Sequence, residues 1–215
     1  MNNKYLSEFL GTFLLTSCVV GSGIMAENLS NGNLALALLA NTIATGAILF
    51  VIIKMFSQTS GAHFNPVVSF IFYLKGELEK NDFVYYVTFQ IIAAIIAVII
   101  THYLFDLHLF QISKNHRGEL NMLVSEAIAT FGLVLTILLV RENDETSVAL
   151  SVAFYIMAGY WFTPSTSFAN PAVLIGRVFT DTFTGIAPSS FLFFLLGQLS
   201  GALFSLLIFK GLKKS

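Results

Sequence analysis

Two segments set an asparagine directly before a proline inside apolar surroundings. They are Ser60-Gly61-Ala62-His63-Phe64-Asn65-Pro66-Val67 and Ser167-Phe168-Ala169-Asn170-Pro171-Ala172-Val173. Proline at a first helical position has a suitable φ and lacks only a donor that would be orphaned there. Asparagine before it is a good N-cap, because its side-chain carbonyl accepts from an early backbone N–H. That fixes the amide and leaves its NH2 free to project away from the helix. Two such starts meeting end to end present two NH2 donors side by side, each backed by about half a positive charge from a macrodipole. A water or hydroxyl oxygen can accept from both, whereas a cation or hydronium meets two positive helix ends. This is the chemistry of solute passage, not of bond-making.

The elements that position these donors follow from length. The apolar runs at 65–74 and 170–179 hold ten helical residues each, rising only about 15 Å, half the hydrocarbon thickness. Each therefore dips into a membrane and turns back, which backbone does only where protein or a water-filled lumen surrounds it. Six longer runs span, near 4–26, 34–57, 82–105, 120–140, 147–164 and 188–210, the fifth being the shortest. Short segments at matching places in two halves are the sign of half-helices meeting at the midplane. The halves also echo each other, Glu8-Phe9-Leu10-Gly11-Thr12-Phe13 in Glu126-Ala127-Ile128-Ala129-Thr130-Phe131. With three spans in each, the second half enters from the opposite side. The expected organisation is one channel domain, 1–215, of two inverted repeats, approximately 4–105 and 120–210.

Composition agrees. The chain has 215 residues, 56% hydrophobic and 11% charged, with a mean hydropathy of +0.80. A soluble domain carries about 25% charged residues, so this one is an integral membrane protein. The net charge of −1 excludes a concentrated basic face for nucleic acid. Cys18 stands alone, makes no internal disulfide and reads as a small core residue. No small-residue cleavage site precedes a mature domain, so a cleavable signal is not expected.

With both termini inside, Lys4, Lys54, Lys75, Lys80, Arg141, Lys210, Lys213 and Lys214 are cytoplasmic, eight of the eleven basic residues. Lys114, Arg117 and Arg177 fall outside, as the positive-inside rule prefers. His102, His108 and His116 near the outer loop read as solvated loop residues. His63 reads as lumen-lining, since no second metal ligand stands at a suitable spacing, and no metal, cofactor or catalytic residue is expected. Small residues in Gly61-Ala62-His63 and Thr166-Ser167-Phe168 permit an unwound backbone whose carbonyls can face a solute.

On these residues the chain resembles the major intrinsic proteins, the aquaporins and aquaglyceroporins. The likeness covers nearly its whole length: Glu8 and Glu126, the segment 60–67, Gln90 and Asn170-Pro171-Ala172. It implies an all-α integral membrane fold, an aquaporin-like right-handed bundle of six transmembrane helices and two re-entrant half-helices. It also implies a homotetramer with one pore per subunit, in the cell (inner) membrane. Asn65 and Asn170 become the paired donors, and Gly61, Ala62, His63, Thr166, Ser167 and Phe168 match the carbonyl ladders. Glu8 and Glu126, costly inside a membrane, become the groups that hold the half-helix loops.

The family commonly has Arg directly after the second Asn-Pro-Ala, where this chain has Val173. Matching position gives a filter of Thr45, Tyr160, Ser167 and Val173, with Ala158 replacing Tyr160 if no gap precedes it. Such a filter carries no fixed charge and is wider and less hydrophilic than a water-only filter. Arg177, one turn beyond Val173, is expected away from the lumenal tip as a helix anchor. The stretch 170–188 resembles a bacterial branch associated with arsenic resistance. The expected function is passive conduction of small uncharged solutes: glycerol-like polyols, arsenite or methylated arsenicals, and water. The alternatives are a water-selective pore and, from another class, a structural or junctional protein with a closed pore.

Overall fold

A computed structural model describes residues 3–213; Lys214 lies outside them. Eight α-helices follow in order: α1 Asn3–Leu29, α2 Leu34–Ser60, α3 Pro66–Leu74, α4 Lys80–Leu104, α5 Leu120–Asn143, α6 Val148–Phe162, α7 Pro171–Val178 and α8 Pro188–Leu212. Five of them, α1, α2, α4, α5 and α8, are long and apolar enough to cross a membrane. The expected span at 147–164 is α6, which has only 15 residues and rises about 22 Å. A 3-10 turn, Glu145–Ser147, takes up its start, with Asp144 accepting from Thr146 N at 3.0 Å.

Helix ends follow local chemistry. Asn33 caps α2 by accepting from Leu36 N at 3.1 Å. Gly61 ends α2 at φ +82°, a left-handed residue that glycine adopts without a Cβ penalty. Pro66, Pro171 and Pro188 open α3, α7 and α8 at first-turn positions.

In one half α1 packs on α2 and α4; in the other α5 packs on α6 and α8, and α2 against α6 joins them. Close approach uses small residues, as membrane helices require. On α8, Gly197 and Gly201 lie against α5: a Cβ at Gly197 would stand 2.9 Å from Glu126 Cβ. One at Gly201 would stand 2.9 Å from the Ala127 carbonyl carbon. The half-helices fill the space between the halves, α3 against α4 and α8, α7 against α1, α4 and α8.

The polarity is inverted relative to a soluble protein. Ile43, Val51, Ile92, Ile100, Leu196 and Leu207 are exposed, while Glu8, Gln90, His102, Glu126 and Gln198 are wholly buried. An apolar exterior suits lipid; the buried polar groups must be satisfied inside. His102 corrects the expectation of a solvated loop residue. It ends α4 with its ring between the Leu109 carbonyl at 3.0 Å and Thr180 Oγ1 at 2.8 Å. His108 and His116 are exposed. Cys18 is half-buried between α1 and α2, its thiol 3.4 Å from the Ala44 carbonyl.

Candidate functional site

Each asparagine caps its own half-helix. Asn65 Oδ1 accepts from Val67 N at 3.0 Å, and Asn170 Oδ1 from Ala172 N at 3.0 Å and Val173 N at 3.3 Å. The amide nitrogens then cross over. Asn65 Nδ2 donates to the Ala169 carbonyl at 2.7 Å, and Asn170 Nδ2 to the Phe64 carbonyl at 2.8 Å. The two helix starts are thereby tied tip to tip. One N–H of each amide is used in the tie, so only the other is left for a solute, fewer donors than the fully projecting NH2 groups expected.

Behind each tip sits a buried carboxylate. Glu8 accepts from Ser60 Oγ at 2.6 Å, His63 N at 2.9 Å, Phe64 N at 2.6 Å and Gln90 Nε2 at 2.7 Å. Glu126 accepts from Phe168 N at 2.9 Å, Ala169 N at 2.9 Å and Gln198 Nε2 at 2.7 Å. Both acids are fully buried and both loops obtain acceptors for N–H groups that no helix satisfies. Gln198 repeats in the second half the part of Gln90 in the first. Its signal in the sequence was a Gln on the last long helix of each half, 82 residues after Glu8 in one and 72 after Glu126 in the other.

The loops share an unusual backbone. Gly61, Ala62 and Phe64 have positive φ, as do Thr166, Ser167 and Ala169, each set at the same distances from its asparagine. For residues other than glycine that conformation costs on the order of 1 kcal/mol each. The Glu8 and Glu126 bonds are what hold it.

Beside the paired asparagines runs a cavity of about 790 Å³. At one end it is bordered by Lys54, Gln58, Glu77, Arg141 and Glu145; it passes Asn65 and Asn170 and ends among Thr45, Tyr160, Ser167, Val173 and Arg177. Gly61, Ala62, His63 and Phe168 also border it; Thr166 does not. His63 rests against Phe72, ring centroids 4.6 Å apart, with Nδ1 3.1 Å from Ser69 Oγ. Among the described residues no three His, Cys, Asp or Glu side chains gather as a metal site.

At the far end Thr45 Oγ1 and Tyr160 Oη meet at 3.1 Å, joining α2 to α6. Tyr160 borders the cavity, whereas Ala158 is exposed on the outside of α6. Gly159 lets Ser167 come close: a Cβ there would stand 2.6 Å from Ser167 Oγ. That hydroxyl is buried and has no hydrogen-bond partner among the described residues.

Arg177 corrects the expectation that it lies away from this end. It borders the cavity beside Val173, is 3% exposed, and stacks with its guanidinium carbon 3.3 Å from the Phe168 ring centroid. Its Nε donates to the Thr184 carbonyl. Arg117, from the loop between the halves, lies 5.3 Å from the same ring centroid. It donates to the neighbouring carbonyls of Gly185 at 2.7 Å and Phe183 at 2.9 Å. Burial pulls Arg117 down to about 10, so it stays charged at neutral pH.

At the opposite mouth Glu77 bridges Lys75 at 2.7 Å and Arg141 at 2.5 Å. Partial burial pushes its carboxyl up, and the two cations outweigh that, leaving it below the ordinary value.

Two opposed half-helices, tied at their asparagines beside a deep cavity within an apolar-surfaced bundle, define a membrane protein built around a solute path. The chain belongs to the major intrinsic protein family, whose model matches residues 1–160. It is 46% identical over 212 residues to aquaglyceroporin AqpS of Rhizobium meliloti, covering 99% of this chain and 91% of that one. It is 26% identical over 218 residues to aquaporin TIP1-2 of Zea mays, covering 95% and 83%. The aquaglyceroporin from Plasmodium falciparum superposes with a TM-score of 0.76 at 20% identity, covering 97% of this chain and 95% of that chain. The bundle thus has the aquaporin fold.

Proposed function

We propose that the protein is a passive channel, not an enzyme, for small uncharged solutes: glycerol-like polyols and water. The single observation that carries this is the crossed Asn65–Ala169 and Asn170–Phe64 pair lying beside a cavity of about 790 Å³. Each amide keeps one N–H for a passing oxygen, and the two helix starts oppose cations. Uncharged arsenic hydroxides such as As(OH)3 and methylated arsenicals are small hydroxyl-bearing molecules of the same class. The 46% identity to a protein named an aquaglyceroporin supports polyols over water alone.

The assignment of Thr45, Tyr160, Ser167 and Val173 as the filter is supported by their place around the far end of the cavity. Gly61, Ala62, His63 and Phe168 are taken as the carbonyl ladder. Thr166 is included by its place in the second loop, at the same distance from Asn170 as Gly61 from Asn65. The matched contacts of Glu8 and Glu126 support two inverted repeats, 4–105 and 120–210, in one domain. A homotetramer in the cell (inner) membrane, with both termini cytoplasmic, completes the reading. Basic residues crowding one side support the orientation.

One observation favours a water-selective pore instead: the Thr45–Tyr160 contact at 3.1 Å draws two filter groups together. Purified protein in lipid vesicles decides between them. Glycerol and urea uptake above protein-free vesicles, alongside water flow, is the expected result. Water flow without either solute would leave the water-selective reading, and no flow at all would reject a channel.

A further inference from the structure

Arg177 poses a problem that the family relationship does not resolve. A guanidinium carries five N–H donors and is expensive to bury unless they are met. Here Nε has the Thr184 carbonyl and the planar face of the group lies on the Phe168 ring. Among the described residues Arg177 makes no ion pair, and no protein acceptor meets either Nη. Yet the residue is 3% exposed and borders the cavity. What satisfies those donors is therefore the content of the cavity.

Helix geometry explains how a residue one turn beyond Val173 reaches the filter. Residues four apart share a face about 6 Å apart along the axis. Helical side chains lean toward the N-terminus, which for α7 is the tip at Asn170. The long Arg177 side chain leans back past Val173, so its guanidinium lies against Phe168, beside Ser167. Arg117 acts as a positioning residue. Its bonds to the carbonyls of Phe183 and Gly185 flank the Thr184 carbonyl that holds Arg177.

We propose that Arg177 is the specificity-determining donor of the outer filter, reaching it from one helical turn beyond the position Val173 occupies. Its Nη groups donate to the oxygens of neutral solutes, together with the unpartnered Ser167 hydroxyl. Its charge, in a narrow and poorly solvated place, repels cations and protons. The filter is charged despite Val173. This inference rests on the channel reading above.

The test uses the full chain in lipid vesicles with two readouts, glycerol uptake and proton leak under an imposed pH gradient. Wild-type protein that passes no glycerol or water would refute the channel reading itself, separately from Arg177. Arg177→Gln keeps a donor for the Thr184 carbonyl but removes the charge, and is expected to raise proton leak about tenfold. Arg177→Lys keeps the charge and is expected to leak like wild type. A lysine variant leaking as much as the glutamine variant would overturn the proposal in favour of a purely structural tie. Val173→Arg would set two guanidinium groups at one level and is expected to cut glycerol uptake about tenfold or more. Adding Arg177→Gln to Val173→Arg is expected to restore uptake, because the two positions compete for one space. A defect of Val173→Arg that Arg177→Gln leaves unchanged would also overturn it.

Discussion

Asn65 and Asn170 each hold the other's loop, not each other: Asn65 donates to the Ala169 carbonyl, and Asn170 to the Phe64 carbonyl. The contact between the two half-helix tips is thus made by the residues that cap them. Asn65→Ala removes both the cap on Val67 N and the cross-bond. The expected loss is about 2–3 kcal/mol, with water flow reduced in proportion to folded protein. Asn65→Ala and Asn170→Ala together should lose less than the sum of the single changes, because either one loosens the shared tip. Thermal unfolding in detergent measures this; strict additivity would mean that the two tips do not support each other.

The buried acids act on the same tips from behind. Glu126 accepts three N–H groups, two of them from the unwound backbone at Phe168 and Ala169. Glu126→Leu orphans all three at about 1–3 kcal/mol each, enough to abolish folding of a protein of ordinary stability. Glu126→Gln is expected to be nearly as harmful, since its NH2 would face donors. Removing Gln198 as well, in Glu126→Leu with Gln198→Leu, deletes one orphan and should recover some folded yield. Yield by size-exclusion chromatography tests this, and a double variant no better than Glu126→Leu would contradict it.

How much of this could be read from the chain differs by residue. Asn65-Pro66 and Asn170-Pro171 combine a cap and a first-turn proline, both local signals, and α3 and α7 begin at those prolines. Glu8 and Glu126 stand out because charge in an apolar run demands a reason. The crossed amide bonds were not legible, since they join residues about a hundred positions apart. Nor was Arg177. The helical rise alone put it a turn away, while the backward lean and length of its side chain bring it to Phe168. His102 reads as polar loop-end sequence, and only the return of Leu109 and Thr180 over it makes it buried. The start of α6 was blurred because Asp144 caps a 3-10 turn before the α-helix begins.

Tyr160 and Thr45 carry the third prediction. Their contact at 3.1 Å ties α6 to α2 at the end of the cavity. Tyr160→Phe keeps the ring and removes the tie, at about 0.5–1.5 kcal/mol. Freed of the bond, the two helices no longer hold these side chains together at the end of the cavity, and glycerol uptake relative to water flow is expected to rise severalfold. Thr45→Val breaks the same bond, so adding it to Tyr160→Phe should change the ratio little further. Stopped-flow light scattering gives both rates, and a ratio that Tyr160→Phe leaves unmoved would show that this contact does not set it.

At the other mouth the ion pairs of Glu77 with Lys75 and Arg141 predict a pH dependence. Burial raises the Glu77 carboxyl and the two cations lower it by more, so its folded value lies below the ordinary 4.5. A group depressed on folding binds fewer protons in the folded state. Its stabilising contribution is therefore complete above the unfolded value and is lost as pH falls through the folded one. Wild type and Glu77→Gln should differ in unfolding temperature at pH 7 and converge below about pH 4. Because Glu77 is partly exposed, the gap should also narrow in high salt, as screening weakens the pairs. Unfolding temperatures that stay equally far apart at pH 7 and in acid would show that ionised Glu77 contributes nothing through Lys75 and Arg141.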